Sequence, residues 1–593
     1  MHAAVTTTTN AKLPFKNASF ETLCDGLDYA AKGATGCNFY SFRGEAAESL
    51  TYGEIRERAM ALAQALVRAG LKRGARVAIM AETTPHFLNF FFACQYAGLI
   101  PVPLPLSMNL GGKDSYVERL KGLIAGAGAD AAVASEETIG DLREAVADLS
   151  LQLVGTPADF YALPGDGADL RPFGADEPCY IQYSSGSTRF PHGVFISQRA
   201  ATSNSRAIAQ HGVGVRQGDR CASWLPLYHD MGLVGFLFVP MMAQVSIDYL
   251  ATADFARRPL LWPKLMSANG SAIAFSPTFG YDLCRRRAEN ATISGFDLSN
   301  WRVAGIGGDM IRADVLARFA DRFSECGFRE TAFLASYGLA EATLAVSFAG
   351  HDSVVEVDRV DKMAYALSDR AEPVADSASP SSANTRSFAL CGQPMPGYRV
   401  EARAEDGSAL PDRRIGRIFI TGPSLMTGYY NDPAETARVL HDDGWLDTGD
   451  MGYMVDGTMV VTGRSKDLII HNGRNIWPQD IEWAIERLPG LRSGDVAAFS
   501  VPGADGAEAV VVLVQSRKTA DEANWSLKRD IAAVVRSTAG VDCKVVLVPP
   551  RSISVTSSGK ISRAGARQNY LAGQFAEIVG ETHAPADAVA AAE

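Results

Sequence analysis

Residues 180–197, YIQYSSGSTRFPHGVFIS, gather small hydroxyl side chains around a glycine where an apolar strand gives way to a loop. Ser184, Ser185, Gly186, Ser187 and Thr188 would let backbone N–H groups approach a polyphosphate closely, with the hydroxyls adding donors or a metal contact. The loop is not a Walker A motif, which needs Lys and then Ser or Thr where Gly193 is followed here by Val194 and Phe195. A Ser/Gly turn alone also serves as an ordinary surface loop, so its reading depends on what surrounds it.

The elements that must position such a loop follow from hydrophobic spacing. TYGEIRERAMALAQALVRAG, ending at Gly70, carries apolar residues at helical intervals, and the strand-like ARVAIM follows. A second helix, PHFLNFFFACQYAG, feeds the apolar IPVPL. This alternation predicts a largely parallel α/β sheet covered on both faces. Residues 270–275, 301–306 and 329–336 read as further short buried strands, ending in loops rich in Gly, Ser or Asp where ligand sites of such sheets lie. After about Ser387 the texture changes to short alternating strands, with Asp456-Gly457 as a hairpin turn. The expected fold class is α/β: a large N-terminal domain over 1–465, built from two α/β subdomains plus a small β subdomain, then a small α+β C-terminal domain over 466–575. Residues 576–593 read as a frayed tail.

The 593 residues carry a formal net charge of −11 and 47% apolar side chains, the balance of an ordinary soluble globular protein. No basic run supports nucleic acid as a partner. Nine scattered cysteines, none in a CxxC arrangement, fit a reducing compartment and offer neither a zinc ribbon nor a disulfide framework. No secretory signal is visible at the N-terminus. The apolar stretches 88–106 and 233–250 contain Pro101, Pro103 and Pro105, and Pro240, Gln244 and Asp248, so each reads as core helix running into strand rather than a membrane span. A cytoplasmic protein without a transmembrane segment is expected.

Four motifs follow the hydroxyl loop in order: ASYGLAEAT at 335–343, WLDTGD at 445–450, TGRSKDLI at 462–469 and TSSGKISR at 556–563. Together with SSGSTRFPHG they make the chain resemble the adenylate-forming superfamily of acyl-CoA synthetases, nonribosomal-peptide adenylation domains and firefly luciferase, over essentially 18–571. The resemblance implies ATP and Mg²⁺ as cofactors, a carboxylate substrate, and a mobile C-terminal domain that turns about a hinge near Lys466 between adenylation and acyl transfer. It places Ser184, Ser185, Gly186, Ser187, Thr188, Arg189 and His192 at the phosphates. Gly307, Gly308 and Asp309 would line one side of the adenine, with Ser336, Tyr337 and Gly338 on the other. Asp450 can accept both ribose hydroxyls, and Arg464 can reach the same sugar. Glu341 would hold Mg²⁺ with help from Thr188, hard oxygens suiting a hard cation. Lys560 would bridge the substrate carboxylate and the α-phosphate, offsetting the charge that gathers when one anion attacks another.

Three features are similar to the fatty acyl-AMP ligase branch, which hands its acyl group to the phosphopantetheine thiol of an acyl carrier protein. In LPLYHDMGL, residues 225–233, His229 and Asp230 would orient the carboxylate end of a medium- or long-chain fatty acid while Met231 and Leu233 face its chain. GRNIWPQDIE, residues 473–482, follows the branch pattern. The long stretch at about 351–387 sits where these ligases carry an extra segment, which in that branch limits domain movement or blocks productive use of coenzyme A. The mildly basic C-terminal domain would suit an acidic carrier, expected as a separate chain. The rival readings are a long-chain acyl-CoA ligase, distinguished only by its acceptor, and a non-catalytic nucleotide- or lipid-binding relative, against which Glu341, Asp450, Arg464 and Lys560 argue.

The phosphate loop departs from the superfamily pattern at Arg189, where Gly is common, and at His192, where Lys is common. A histidine near its ordinary pKa of about 6.5 is mostly neutral at cytosolic pH, so Arg189 is expected to supply the permanent charge and His192 a hydrogen bond. Arg189→Gly should therefore raise the KM for ATP severely while His192→Ala costs little, and the reverse ranking in steady-state kinetics would refute this division of labour.

Overall fold

The computed structural model describes residues 13–106, 113–165, 167–184, 191–374, 384–471, 474–502, 508–556 and 560–578. Among these, a nine-stranded sheet has a parallel centre running Ser246–Leu250, Arg220–Ser223, Ile273–Ser276, Val303–Ile306 and Phe333–Gly338. A second, four-stranded parallel sheet runs Ile100–Leu104, Arg76–Met80, Ala131–Val133 and Leu153–Gly155. These are the two α/β subdomains, and their strands are buried on both faces, as parallel sheets require.

The helix Tyr52–Arg68 opens on a capping box, Thr51 with Glu54, and packs against the helix Pro85–Ala97. Pro85–Ala97 buries nearly every side chain, including Phe87 and Phe90 to Phe92, and stops at Gly98, whose φ of 66° is a left-handed cap. The strand Ile100–Leu104 follows, so the first apolar stretch is core helix and strand. Among the described residues, no helix is long and apolar enough to cross a membrane.

The small β subdomain is a four-stranded antiparallel sheet of Arg399–Arg403, Gly416–Thr421, Leu446–Val455 and Thr458–Arg464. Asp456 and Gly457 join the last two strands with φ values of 49° and 75°, the paired left-handed conformation that matches strand twist in a two-residue hairpin. The C-terminal domain has its own sheet, Val496–Pro502, Glu508–Gln515 and Cys543–Val548, covered by the helices Pro478–Ile485 and Asp521–Ala539. Ile481, Val512, Leu527 and Ile531 form its core.

The described part of the segment expected as an insertion, 351–374 and 384–387, forms regular elements. Its strand Val357–Asp361 pairs antiparallel with Thr385–Ala389, and the helix Lys362–Ser368 lies between them, capped by the Asp361 carboxylate accepting from the Ala364 N–H at 2.8 Å.

Candidate active site

The site forms where parallel strands end. Gly307, Gly308 and Asp309 follow Val303–Ile306, and Tyr337 ends the neighbouring strand. The Ser336 hydroxyl donates to the Ile306 carbonyl at 3.0 Å, tying the two ends together. Gly308 has a φ of 74°, and a Cβ there would lie 2.9 Å from the Met231 methyl, so no side chain fits. The Tyr337 hydroxyl donates to Asp450 Oδ2 at 2.7 Å, and Arg464 Nε lies 3.3 Å from Asp450 Oδ1. Asp450 and Arg464 face each other across the hairpin, which fixes their spacing. Burial and then Asp450 push the Tyr337 hydroxyl well above its ordinary pKa, and Asp450 raises Arg464. Gly308, Asp309, Ser336, Tyr337, Gly338, Asp450, Arg464, Lys466 and Lys560 all line one cavity of about 680 Å³.

Lys560 reaches this cavity from the C-terminal domain, held in a short hairpin where the Thr556 N–H donates to the Lys560 carbonyl at 2.7 Å. Burial holds its ammonium below the ordinary lysine pKa; Asp309, Asp230 and Asp450 oppose that shift, and Arg464 adds to it. Within the C-terminal domain Arg563 bonds Glu482 at 2.6 Å and Asp467 at 2.8 Å, and across the domain interface Arg312 of the N-terminal domain bonds Glu486 at 2.9 Å. Lys466 lies in a short turn beside Arg464, and burial, then Arg464, lower its pKa.

The phosphate loop is a hairpin with closed ends. Tyr183 pairs with Gly193, and the Ser184 N–H donates to the His192 carbonyl at 3.0 Å. Ser185, Gly186, Ser187, Thr188 and Arg189 lie outside the described residues. His192 Nδ1 lies 3.3 Å from Asp432 Oδ2, and its ring packs 4.9 Å from that of Tyr429. The Tyr429 hydroxyl in turn donates to Glu341 Oε1 at 2.8 Å. Sequence reasoning missed Tyr429 and Asp432; they arrive because Gly428–Tyr429 adds a third strand beside Gly193–Ser197.

Glu341 sits on a tight turn that ends at Thr343, a buried β-branched residue with a φ of 72°. That strained conformation is held by the Thr343 hydroxyl donating to the Ser424 carbonyl at 2.8 Å. No group of three His, Cys, Asp or Glu occurs among the described residues, so a metal here would share its shell with phosphate oxygens. The Glu341 carboxylate fits that role: Tyr429 takes one oxygen through a neutral hydroxyl, and no ion pair is formed with it among the described residues.

A narrow apolar cavity continues from the nucleotide site. Asp230, Met231, Gly235, Phe236, Val239, Phe275 and Phe348 line it, and it shares Gly308, Ser336, Tyr337 and Gly338 with the larger cavity. Met231, expected to face an acyl chain, lines this cavity. Leu233 does not: it is fully buried in the core, because on a helix it points away from the side shared by Met231 and Gly235. His229 caps that short helix, its Nδ1 2.5 Å from Asp230 Oδ1, and is absent from both cavity walls. Although burial alone would raise the Asp230 pKa, His229, the Met231 N–H and Lys560 together bring it below the ordinary value.

A nucleotide-sized cavity at parallel strand ends, closed by a lysine from a second domain, is the arrangement of an adenylate-forming enzyme. The chain belongs to the AMP-binding enzyme family, which it matches over residues 30–430. It is 47% identical over 567 residues to a Caulobacter vibrioides protein named as an acyl-CoA synthetase, covering 94% of this chain and 97% of that one. It is 30% identical to the medium-chain-fatty-acid–[acyl-carrier-protein] ligase JamA of Moorena producens, covering 93% and 96%. A solved structure from studies of fatty acyl-adenylate ligases of E. coli and L. pneumophila superposes with a TM-score of 0.90 and 44% identity, covering 95% of this chain and all of that one.

Two outcomes follow for the site. Because the ammonium form of Lys560 is the useful one and its pKa is depressed, adenylation should be full at pH values below that pKa. It should fall as pH rises through it, before the ordinary lysine value of about 10.4. The alkaline limb of kcat/KM should move upward in Lys560→Arg, whose guanidinium stays charged. Tyr429→Phe should raise the Mg²⁺ concentration needed for half-maximal adenylation by about tenfold, the loss of one hydrogen bond to a charged group, with Mn²⁺ binding by electron paramagnetic resonance weakened in parallel.

Proposed function

We propose that the protein activates a medium- or long-chain fatty acid with ATP and then passes the acyl group to the phosphopantetheine thiol of an acyl carrier protein. In the first step a carboxylate oxygen attacks the α-phosphorus, the bond to pyrophosphate breaks, and acyl-AMP remains. The observation that carries the fatty acid is the narrow apolar cavity that adjoins the larger cavity at Gly308, Ser336, Tyr337 and Gly338, where an aliphatic chain and an adenylate would meet at the carboxylate carbon. Lys560 would neutralise the two anions as they approach, Glu341 with Thr188 would hold Mg²⁺ on the phosphates, and Asp450 with Arg464 would fix the ribose. A cytoplasmic setting fits nine free cysteines, eight of them buried.

The carrier as acceptor is favoured by how the insertion meets the C-terminal domain. Arg386 is buried among Tyr365, Phe388 and Trp477, with its guanidinium carbon 4.5 to 5.5 Å from their ring centres, and its Nε lies 3.0 Å from Asp480 Oδ1. Asn475 donates to Asp369 at 3.2 Å. The inserted segment and the GRNIWPQDIE motif therefore clasp each other, which would resist the domain rotation that coenzyme A use requires. The acyl-CoA ligase reading keeps the support of the Caulobacter relative's name.

Mass spectrometry of the protein incubated with ATP, Mg²⁺ and mixed fatty acids, split between coenzyme A and a holo acyl carrier protein, separates the two. Acyl-AMP discharged onto the carrier and not onto coenzyme A is expected; efficient acyl-CoA formation would overturn the carrier reading and leave the adenylation chemistry standing. Arg386→Ala, which leaves Asp480 without its partner, should raise acyl-CoA formation by about tenfold.

A further inference from the structure

Two phenylalanine rings stand where two glycines leave room for them, and both face the narrow apolar cavity. A Cβ on Gly305 would lie 2.1 Å from the Phe275 ring, and one on Gly212 would lie 2.5 Å from the Phe348 ring, so neither ring could keep its place beside an alanine. The two rings meet edge to face with centroids 6.4 Å apart, and Phe236 packs edge-on against Phe275 at 6.0 Å. Ile208 opens a π-helical turn that ends at Gly212, and Val234–Phe238 is a second such turn. Ile208, Gly235 and Phe236 carry both turns into the cavity wall, and this rare, wide turn recurs at functional sites.

The backbone under Phe348 is pinned. His351 Nε2 donates to the Gly212 carbonyl at 2.7 Å, and Arg302, itself paired with Asp219, donates to the carbonyls of Val213 at 3.1 Å and Gly214 at 2.7 Å. Strand register gives the depth at which the rings lie. Phe275 pairs with Gly305, three residues before Gly308, and Gly308 belongs to the walls of both cavities. Three residues of chain span at most about 11 Å. An extended alkyl chain with bonds of about 1.5 Å advances about 1.3 Å per carbon, so one that starts at Gly308 meets the Phe275 ring after about eight carbons. Behind that ring the cavity continues to Ile273 and Cys221, which face each other on adjacent strands.

We propose that Phe275 and Phe348 set the length of acid that the enzyme activates, acting as a stop at about eight carbons, so that its substrates are medium-chain acids. This rests on the fatty-acid reading above and narrows it. A chain that ends at the rings buries each methylene against apolar walls. A longer one must displace a ring in a close-packed interior, and the way back is closed for Phe275 by the strand at Gly305 and for Phe348 by the turn at Gly212. The space at Ile273 and Cys221 stays out of reach while the rings hold their places. His351 and Arg302 are positioning residues of this stop, since they act on it through the backbone around Gly212.

The test is the kcat/KM of fatty-acid-dependent pyrophosphate exchange over a series of saturated acids from short to long chain, in wild type, Phe348→Ala, Phe348→Leu and Gly212→Ala. Wild-type values should climb about fourfold with each methylene buried and fall beyond about eight carbons. The ratio of long-chain to medium-chain kcat/KM should rise about tenfold or more in Phe348→Ala and by less in Phe348→Leu. Gly212→Ala, which pushes the ring into the cavity, should move the optimum to shorter acids. Each readout compares acids within one variant, so a general loss of activity does not imitate it. A wild type that prefers long-chain acids, or a chain-length profile left unchanged by the Phe348 variants and by Gly212→Ala, would overturn the stop while leaving fatty acid adenylation standing. Absence of exchange with every fatty acid in the wild type would remove the fatty-acid reading itself, and the stop with it.

Discussion

One unfavourable placement organises this protein: the ammonium of Lys560, taken out of water by one domain and set against the carboxylates of another. A buried cation is costly unless opposite charge meets it. Asp309, Asp230 and Asp450 supply part of that charge, while Arg464 works against it. On the proposed function, the groups that would complete the neutralisation are a carboxylate and a phosphate, and a site short of negative charge at that point would attract both anions. The orientation of the C-terminal domain and the electrostatics of the cavity are then one problem, and the ion pair of Arg312 with Glu486 at the interface bears on both.

The opposite wall is built to keep an anion fixed. Glu341 stands on a turn that a β-branched residue completes in a left-handed conformation, which persists only when surrounding bonds over-determine it. Thr343 is bonded to Ser424, and the Ser424 hydroxyl donates to the Ala342 carbonyl and accepts from Asn204 at 3.0 Å. Tyr429 then fixes one oxygen of the carboxylate. Its hydroxyl is pushed well above the ordinary tyrosine pKa by burial and by Glu341, so it remains a donor at any pH where the protein is folded. His192 is held by Asp432 on the same strip of chain. The histidine that replaces the usual lysine is thereby packed against the tyrosine that bonds Glu341.

How far the sequence disclosed this depended on the range over which each interaction acts. The parallel sheets, the Asp456-Gly457 hairpin and the apolar stretches as core could be read because spacing, turn chemistry and proline placement are local. Tyr337, Asp450, Arg464 and Lys560 were legible because each lies in a motif, and the fold does bring them to one cavity. Tyr429 and Asp432 left no local signal: their partners lie 88 and 240 residues away, and only the third strand beside the phosphate loop joins them. Leu233 failed for a different reason. A two-residue step from Met231 keeps the same face on a strand and reverses it on a helix, and the chain there is helical.

The insertion shows the limit most clearly. Its Ser, Ala and Pro content reads as surface, and nothing in it announces that Arg386 will be stacked between aromatic rings and paired with a carboxylate 94 residues later in the chain. Yet the residues that meet it, Trp477 and Asp480, belong to the GRNIWPQDIE motif, so two of the features that set the branch resemblance are two halves of one contact. Asp480 is half-buried, and burial raises its pKa against the opposing charges of Arg386 and then Lys362, both from the insertion. Moving the C-terminal domain away from the insertion would part Asp480 from those cations. On the proposed reading, the acceptor would be set by how far the domain can turn against this contact between insertion and motif, away from the cavity that holds Lys560.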